Sequence, residues 1–282
     1  MTAHPYLQKK VVLTSKHEKL KLIKPAFDEN VGCELFEIDL DTDKLGTFSG
    51  EVERIAPPIE TAINKARLGM KETGSLIGIA SEGTIGPDPV IPFIHSNIEH
   101  LVLVDDEHGV VISETYRSFD ITAATITTAP GQDLTAFLQK ADFPQHALIA
   151  RPNTQLKTNC IKGISDLEQL TEAIETISKL SPNGFVIIES DLRAMHSPSR
   201  QKNIEEVAKL LAIRVGNLCP ECDTPGWGRV DFEKGLDCSE CGLKNPDAIS
   251  KEILGCVKCH HRKQGRVIAD SLEPAQCSFC NP

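Results

Sequence analysis

The sequence predicts an α/β domain with a mixed sheet flanked by helices, followed by a separate metal-binding module. Three observations predict this. Between residues 11 and 215, apolar runs of strand length alternate with stretches of helical periodicity. Some of the strand-like runs are joined by short turn-rich segments, which adds hairpins to the sheet. Eight of the 10 cysteines fall after residue 217, as four CxxC pairs.

VVLT (11–14) reads as the first strand and leads into the helical stretch SKHEKLKLIKPAF. PPIETAINKARLGM (57–70) reads as a helix. Pro57 and Pro58 stand at its start, where a missing N–H costs no hydrogen bond, and Ile59, Ala62, Ile63, Ala66 and Met70 share one face. Glu60, Asn64, Arg67 and Lys71 form a second, polar stripe. IGIAS (77–81), LVLV (101–104) and VVIS (110–113) are strand candidates, and DDEHG (105–109) predicts a hairpin turn between the last two. DLTAFLQKADF (133–143) has helical periodicity, and ALIARP (147–152) and CIKGI (160–164) form another strand pair. DLEQLTEAIETISKL (166–180) is helical, with Leu167, Leu170, Ile174 and Ile177 on one side. FVIIES (185–190) has the composition of a buried strand. NIEEVAKLLAIRV (203–215) closes the domain as a helix with Ile204, Val207, Ala208 and Leu211 inward. Composition changes at Asn217, so the expected domains are 1–216 and 217–282.

A net charge of −10, with 40% hydrophobic and 25% charged residues, is that of a soluble globular protein. LVLV and FVII are among the longest apolar runs and are far too short to span a bilayer, so no membrane association is expected. The start, MTAHPYLQKK, lacks an apolar secretory core, which makes a cytoplasmic location the expectation. The acidic balance argues against nucleic acid as a partner, because phosphate binding needs an excess of Lys and Arg.

In a reducing compartment, clustered CxxC pairs point to metal rather than to disulfides. Cys219 and Cys222 precede Cys238 and Cys241, and Cys256 and Cys259 precede Cys277 and Cys280. Both spacings fit the pattern in which two knuckles supply four thiolates to a structural zinc ion. Two zinc ions are therefore expected. Two successive ribbons are the simplest pairing, and a crossed one, first knuckle with third, is compatible with the same spacings. Iron uses the same ligands in rubredoxin-like sites, but no redox partner is implied. His260 and His261 adjoin Cys259 and read as surface residues, since the cysteines complete both shells. Residues 217–282 carry eight Lys or Arg against ten Asp or Glu, which favours structural support or contact with a protein partner. HHRKQGR (260–266) reads as a solvated loop, and Trp227 and Phe279 as packing residues.

Three polar stretches adjoin predicted strand ends, where open α/β sheets bind ligands. LTSKHEKLK (13–21) places Thr14, Ser15, Lys16 and Lys19 where a strand gives way to a helix, a pattern suited to phosphate. GIASEGTIGPDP (78–89) puts Glu82 in a glycine-flanked turn, suited to holding a metal or activating water. IIESDLRAMHSPSRQKN (187–203) packs Glu189, Asp191, Arg193, His196 and Arg200 together, with Ser197-Pro198 fitting an N-cap and first helical position. Arg200 would then lie in the first turn, where the helix dipole favours acids, so an anionic ligand would suit it. Glu51 and Glu53 in GTFSGEVER (46–54) read as solvated. Cys33 and Cys160 read as buried thiols, and His95, His100, His108 and His146 show no ligand spacing.

GTFSGEVER, ASEGTIGP, DLRAMHSPSR and the CPEC…CSEC…CVKC…CSFC tail resemble a bacterial family known as a domain of unknown function, over nearly the whole chain. The front domain also resembles the inosine/xanthosine triphosphate pyrophosphatases. Thr14-Ser15-Lys16-His17-Glu18-Lys19 is similar to their Thr-x-Asn-x-x-Lys phosphate loop, with Lys16 in place of Asn. Glu60-Thr61-Ala62-Ile63-Asn64-Lys65-Ala66 is similar to their Glu-Asn-Ala-x-x-Lys-Ala helix. Ser81-Glu82-Gly83 stands where they have two acids before Ser-Gly. His196 and Arg200 precede a helix as their Ser-His-Arg does, but are not adjacent. The resemblance implies a pyrophosphatase-like fold and a magnesium-dependent nucleoside triphosphate hydrolase. Glu60 and Glu82 would hold the metal, and Thr14, Lys16, Lys19, Lys65, Arg193, His196 and Arg200 would bind a nucleotide or other phosphorylated small molecule. The alternative is a non-enzymatic zinc-ribbon protein that binds a protein or nucleic-acid partner.

Overall fold

The computed structural model describes residues 3–16, 18–42, 55–154 and 158–282. These form two compact units, one of Tyr6–Ala212 and one of residues 3–5 with Ile213–Pro282. Glu51, Glu53 and His17 lie outside the described residues.

The larger unit holds two sheets. The first has five strands in the order β2-β1-β3-β4-β5. These are β1 (Lys10–Thr14), β2 (Glu34–Ile38), β3 (Ile77–Pro87), β4 (His95–Asp105) and β5 (Val110–Ser118). β1 runs parallel to β2 and β3, while β3–β4 and β4–β5 are antiparallel, so the sheet is mixed. The β4–β5 hairpin closes with Asp105 opposite Val110, at the turn that DDEHG predicts. Helix α1 (Leu20–Asn30) connects β1 to β2. Helix α2 (Pro58–Thr73) lies across β1, β3 and β4 and packs Ala62, Ala66 and Met70 on Val12, Ala80, Val102 and Val104. Ile59, counted on that apolar face by its spacing, is 37% exposed because it sits at the helix start beyond the packed sheet strands.

The second sheet is antiparallel, in the order β6-β9-β7-β8. Its strands are β6 (Thr125–Thr128), β7 (Leu148–Pro152), β8 (Ile161–Ile164) and β9 (Val186–Ser190). Helices α3 (Thr135–Lys140) and α4 (Leu167–Leu180) accompany it. Leu170, Ala173, Ile174 and Ile177 of α4 join Leu148, Ala150, Ile164, Val186 and Ile188 in one core. Each large aliphatic side chain buried there contributes about 1.5–3 kcal/mol. Asp166 caps α4 by accepting the Gln169 amide at 2.8 Å, so Leu167 occupies the first turn and is 62% exposed rather than inward. Helix α5 (Pro198–Gly216) buries Ile204, Val207, Ala208 and Leu211, the face its periodicity predicts. Cys33 is buried as expected, whereas Cys160 is only half-buried.

β2 and β6 escape the reading of apolar runs. Both are edge strands, so ELFEI and TITT need not be continuously apolar. The cysteine-rich unit also has a sheet, in the order β10-β11-β12, and most of HHRKQGR (260–266), which reads as a solvated loop, is its third strand. Its strands β10 (Gly228–Asp237), β11 (Lys244–Gly255) and β12 (Arg262–Val267) are largely exposed and polar, so they give little hydrophobic signal. Among the described residues, no helix is long and apolar enough to cross a membrane.

Candidate functional site

Two kinds of site emerge, one in each unit. In the smaller unit the eight cysteines gather into two four-thiol clusters, Cys219–Cys222–Cys256–Cys259 and Cys238–Cys241–Cys277–Cys280. The pairing is crossed, which corrects the simpler expectation of successive ribbons. The sheet imposes it. β10 carries the chain from the first knuckle to the second, and its 10 residues span roughly 30 Å. β11 runs back antiparallel and delivers the third knuckle beside the first, and β12 returns the fourth to the second. Knuckles joined by one long strand cannot share an ion.

Within the clusters the sulfurs of Cys219 and Cys259, and of Cys222 and Cys256, are 3.7 Å apart. Those of Cys241 and Cys277 are 3.7 Å apart, and those of Cys238 and Cys280 3.8 Å. A tetrahedron of zinc–sulfur bonds of about 2.3 Å has edges of about 3.8 Å, so the residues present fit a four-thiolate zinc ion. These spacings are also far beyond a disulfide bond of about 2.05 Å. Tight local turns set each knuckle. The Asp223 amide donates to the Cys219 carbonyl and the Gly242 amide to that of Cys238, with Asp223 and Gly242 in the left-handed region. Around the second cluster, Leu236 and Leu272 complete a small apolar core. His261 stacks on Trp227 with centroids 5.1 Å apart and is half-buried, whereas His260 is exposed.

In the larger unit, charge gathers where the end of β1 meets the middle of β3 and β4; Glu82, expected in a glycine-flanked turn, lies mid-strand because β3 continues through Gly83 to Pro87. Ser81 and Gly83 share one face of β3, and Glu82 points to the other. Lys19, 6% exposed at the start of α1, donates from Nζ to Ser81 Oγ at 2.8 Å, and its amide donates to Glu37 Oε1 at 3.0 Å. On the opposite face, Lys65 of α2 meets Glu82 at 2.6 Å. Opposite Gly83 in the β3–β4 ladder stands Glu99, fully buried. Glu99 Oε1 accepts from Arg200 Nε at 2.7 Å and from Asn97 Nδ2 at 2.9 Å. Arg200 Nη1 donates to the Leu192 carbonyl at 2.8 Å. Gly83 leaves room for this pair, since a Cβ there would lie 2.5 Å from Glu99 Oε1 and 2.6 Å from Arg200 Nη2.

Burial lowers the Lys19 pKa to about 8, aided by Arg200 and Lys65 and opposed by Glu99 and Glu82. Lys19, Lys65, Arg200, Glu82 and Glu99 are thus one electrostatic group, and the Glu37 carboxylate adjoins it at the Lys19 amide. Glu99 is the member that sequence reading missed. A signal existed: Asn97 and Glu99 share the parity of Leu101 and Leu103 in β4, so an acid sits on a buried face.

The other expected site residues are placed as follows. Thr14 is buried, with Oγ1 unpaired and packed against Gly69 of α2. Lys16 is at the surface, 3.4 Å from Asp41. Glu60 is exposed in the first turn of α2, so the α2 residue that meets Glu82 is Lys65. Arg193 is bound to Asp191 through Nε at 2.9 Å and through Nη2. His196 stands over Gly163 of β8, where a Cβ would come within 3.2 Å of its Nε2. Arg193 and His196 therefore gather at the second sheet, and Arg200 turns to the first. A cavity of about 320 Å³ lies beside them, lined in part by Ile85, His95, Ala124, Glu189, Asp191 and Arg193.

Comparison with solved structures finds a nucleoside-triphosphatase, a dITP/XTP pyrophosphatase, from Mycobacterium abscessus. It is 17% identical over 44% of this chain and 77% of that one, with a TM-score of 0.27, a weak likeness. The profile of the family described as a domain of unknown function (DUF6671) matches residues 65–282, which include Lys65, Glu82, Glu99, Arg200 and both cysteine clusters. The chain belongs to that family.

Proposed function

We propose that the larger unit binds the phosphates of a nucleotide or another phosphorylated small molecule and hydrolyses a phosphoanhydride bond, and that the smaller unit is held together by two structural zinc ions. The observation that carries the first part is the cluster of Lys19, Lys65 and Arg200 around Glu82 and Glu99. Buried charges need partners. An anion entering on the Lys19 and Arg200 face of β3 gains two charge-assisted contacts, with Lys65 lying across the strand. The fixed cations would then stabilise charge that develops on the leaving phosphates. The cavity lined by Ile85, Leu192 and Arg193 would take the remainder of the ligand, since Leu192 belongs to its wall and its carbonyl accepts from Arg200.

The donor set around Glu82 suits an anion better than a divalent cation. Lys65 occupies the Glu82 carboxylate and Arg200 occupies that of Glu99. No step is therefore routed through magnesium, and a role for Glu60 rests on the resemblance of its helix motif alone.

The test is a screen of nucleoside triphosphates, standard and deaminated, for pyrophosphate release with and without magnesium. Calorimetry with pyrophosphate runs alongside. Binding that is lost in Lys19→Met, with release that is lost in Glu82→Gln, supports the proposal. Absence of binding for pyrophosphate and every triphosphate at millimolar concentration refutes it.

A further inference from the structure

Helix α5 begins at Pro198, and its first-turn amides need acceptors. The residue whose type suits that task is Ser197, yet among the described residues its buried hydroxyl has no hydrogen-bond partner. The Ser199 amide instead donates to Nε2 of His146, 3.1 Å away, and Ser199 Oγ lies 3.0 Å from the same nitrogen. On the other side of the ring, Nδ1 meets Asp142 Oδ2 at 2.9 Å. Ser199 Oγ also accepts the Thr122 amide at 3.1 Å.

These contacts fix the form of the ring. A backbone N–H can only donate, so Nε2 must be an acceptor. A carboxylate can only accept, so Nδ1 carries the proton. His146 is 4% exposed and lies between Asp142, in the loop after α3, and the first turn of α5. The next residue in that turn is Arg200, which must reach Glu99 from a helix start that disfavours positive charge.

We infer that His146 is a positioning residue, whose Nδ1–H tautomer caps α5 and fixes Arg200 in the buried cationic group. This rests on the phosphate-binding reading for its functional consequence, but not for its geometry. The chain of contacts runs from Asp142 through His146 and Ser199 to the backbone that bears Arg200. No pattern in the sequence marks His146, because its partners are 4 and 53 residues away.

The experiment uses the full chain with 15N-labelled histidine and arginine. Two-bond couplings of the His146 ring should show Nδ1 protonated and Nε2 not. A protonated Nε2 overturns the inference. Hydrogen exchange of Arg200 Nε–H should be slow in the wild type and accelerate at least about tenfold in His146→Leu, the scale of one lost cap. His146→Gln, which can place an amide oxygen near the Nε2 position, should restore slow exchange, and His146→Asn, which is too short, should not. Equal exchange in wild type and His146→Asn, or no rescue by Gln, overturns the inference. Pyrophosphate affinity should fall about tenfold in His146→Asn, and the same substitution should add nothing in an Arg200→Met background. If the Arg200 readout behaves as expected and the wild type binds no pyrophosphate, the phosphate reading fails while the positioning role stands.

Discussion

Crossed pairing of the knuckles makes a sharp prediction about metal content. The clusters join Cys219 and Cys222 with Cys256 and Cys259, and Cys238 and Cys241 with Cys277 and Cys280. With both sites filled the chain carries two zinc ions. Cys219→Ser damages one site and should leave about one. The informative variants are doubles. Cys219→Ser with Cys256→Ser removes two ligands from the same cluster, so one ion should remain. Cys219→Ser with Cys238→Ser damages both clusters and should leave none. Successive ribbons would give the reverse, none for the first double and one for the second. Each structural zinc site is worth about 10–16 kcal/mol of apparent binding energy, so loss of a ligand is read against a large signal. The strands between the knuckles are mostly exposed, and only Leu236, Leu272 and their neighbours form a local core at the second cluster. Losing that site should therefore unravel the distal end of the β10–β11 hairpin, seen as faster amide exchange in Leu236. The assay is elemental analysis of gel-filtered protein, normalised to chain concentration. One ion in the Cys219/Cys238 double together with none in the Cys219/Cys256 double refutes the strand argument.

Further outcomes follow from the buried charges. Arg200→Met leaves Glu99 wholly buried without its cation and should cost about 3–5 kcal/mol in urea unfolding; a loss below about 1 kcal/mol contradicts the pairing. Gly83→Ala places a methyl group 2.5 Å from Glu99 Oε1, so it should cost about 1–3 kcal/mol and weaken pyrophosphate binding, whereas Gly86→Ala, with nothing within contact distance, should cost no stability. Lys19 should impose a pH dependence. Its folded pKa of about 8 lies below its ordinary 10.5, so the unfolded chain holds more protons between those values and the Lys19 contribution to stability rises with pH across that window. Pyrophosphate binding should weaken as pH rises through about 8, when Lys19 loses its charge. An identical profile in Lys19→Met would show that another group titrates.

Much of the fold was legible because it depends on local periodicity. Ala62, Ala66 and Met70 on α2 and Ile204, Val207, Ala208 and Leu211 on α5 repeat at helical spacing, and all are buried where that spacing puts them. The edge strands β2 and β6 were not legible, since a strand paired on one side can be polar and short. Site residues divide in the same way. Lys19 follows the end of β1 and Glu82 lies mid-strand in β3, both in recognisable motifs, but Glu99, 17 residues beyond Glu82, joins them only through the β3–β4 ladder. Lys65 sits about 140° round the helix from Glu60, and the rotation of α2 on the sheet turns Lys65, not Glu60, to Glu82. Arg193 and Arg200 lie seven residues apart and face different sheets, because a short 3₁₀ turn at Ala194–His196 and the start of α5 intervene.

By itself, the sequence determined the α/β class and the four CxxC pairs, since both follow from residue type and spacing along the chain. Which thiols share a cluster, which cations gather near Glu82, and that His146 rather than Ser197 accepts the first-turn amide of α5 were decided by tertiary structure alone. Each depends on strand pairing or helix rotation, which bring together groups that no local spacing relates.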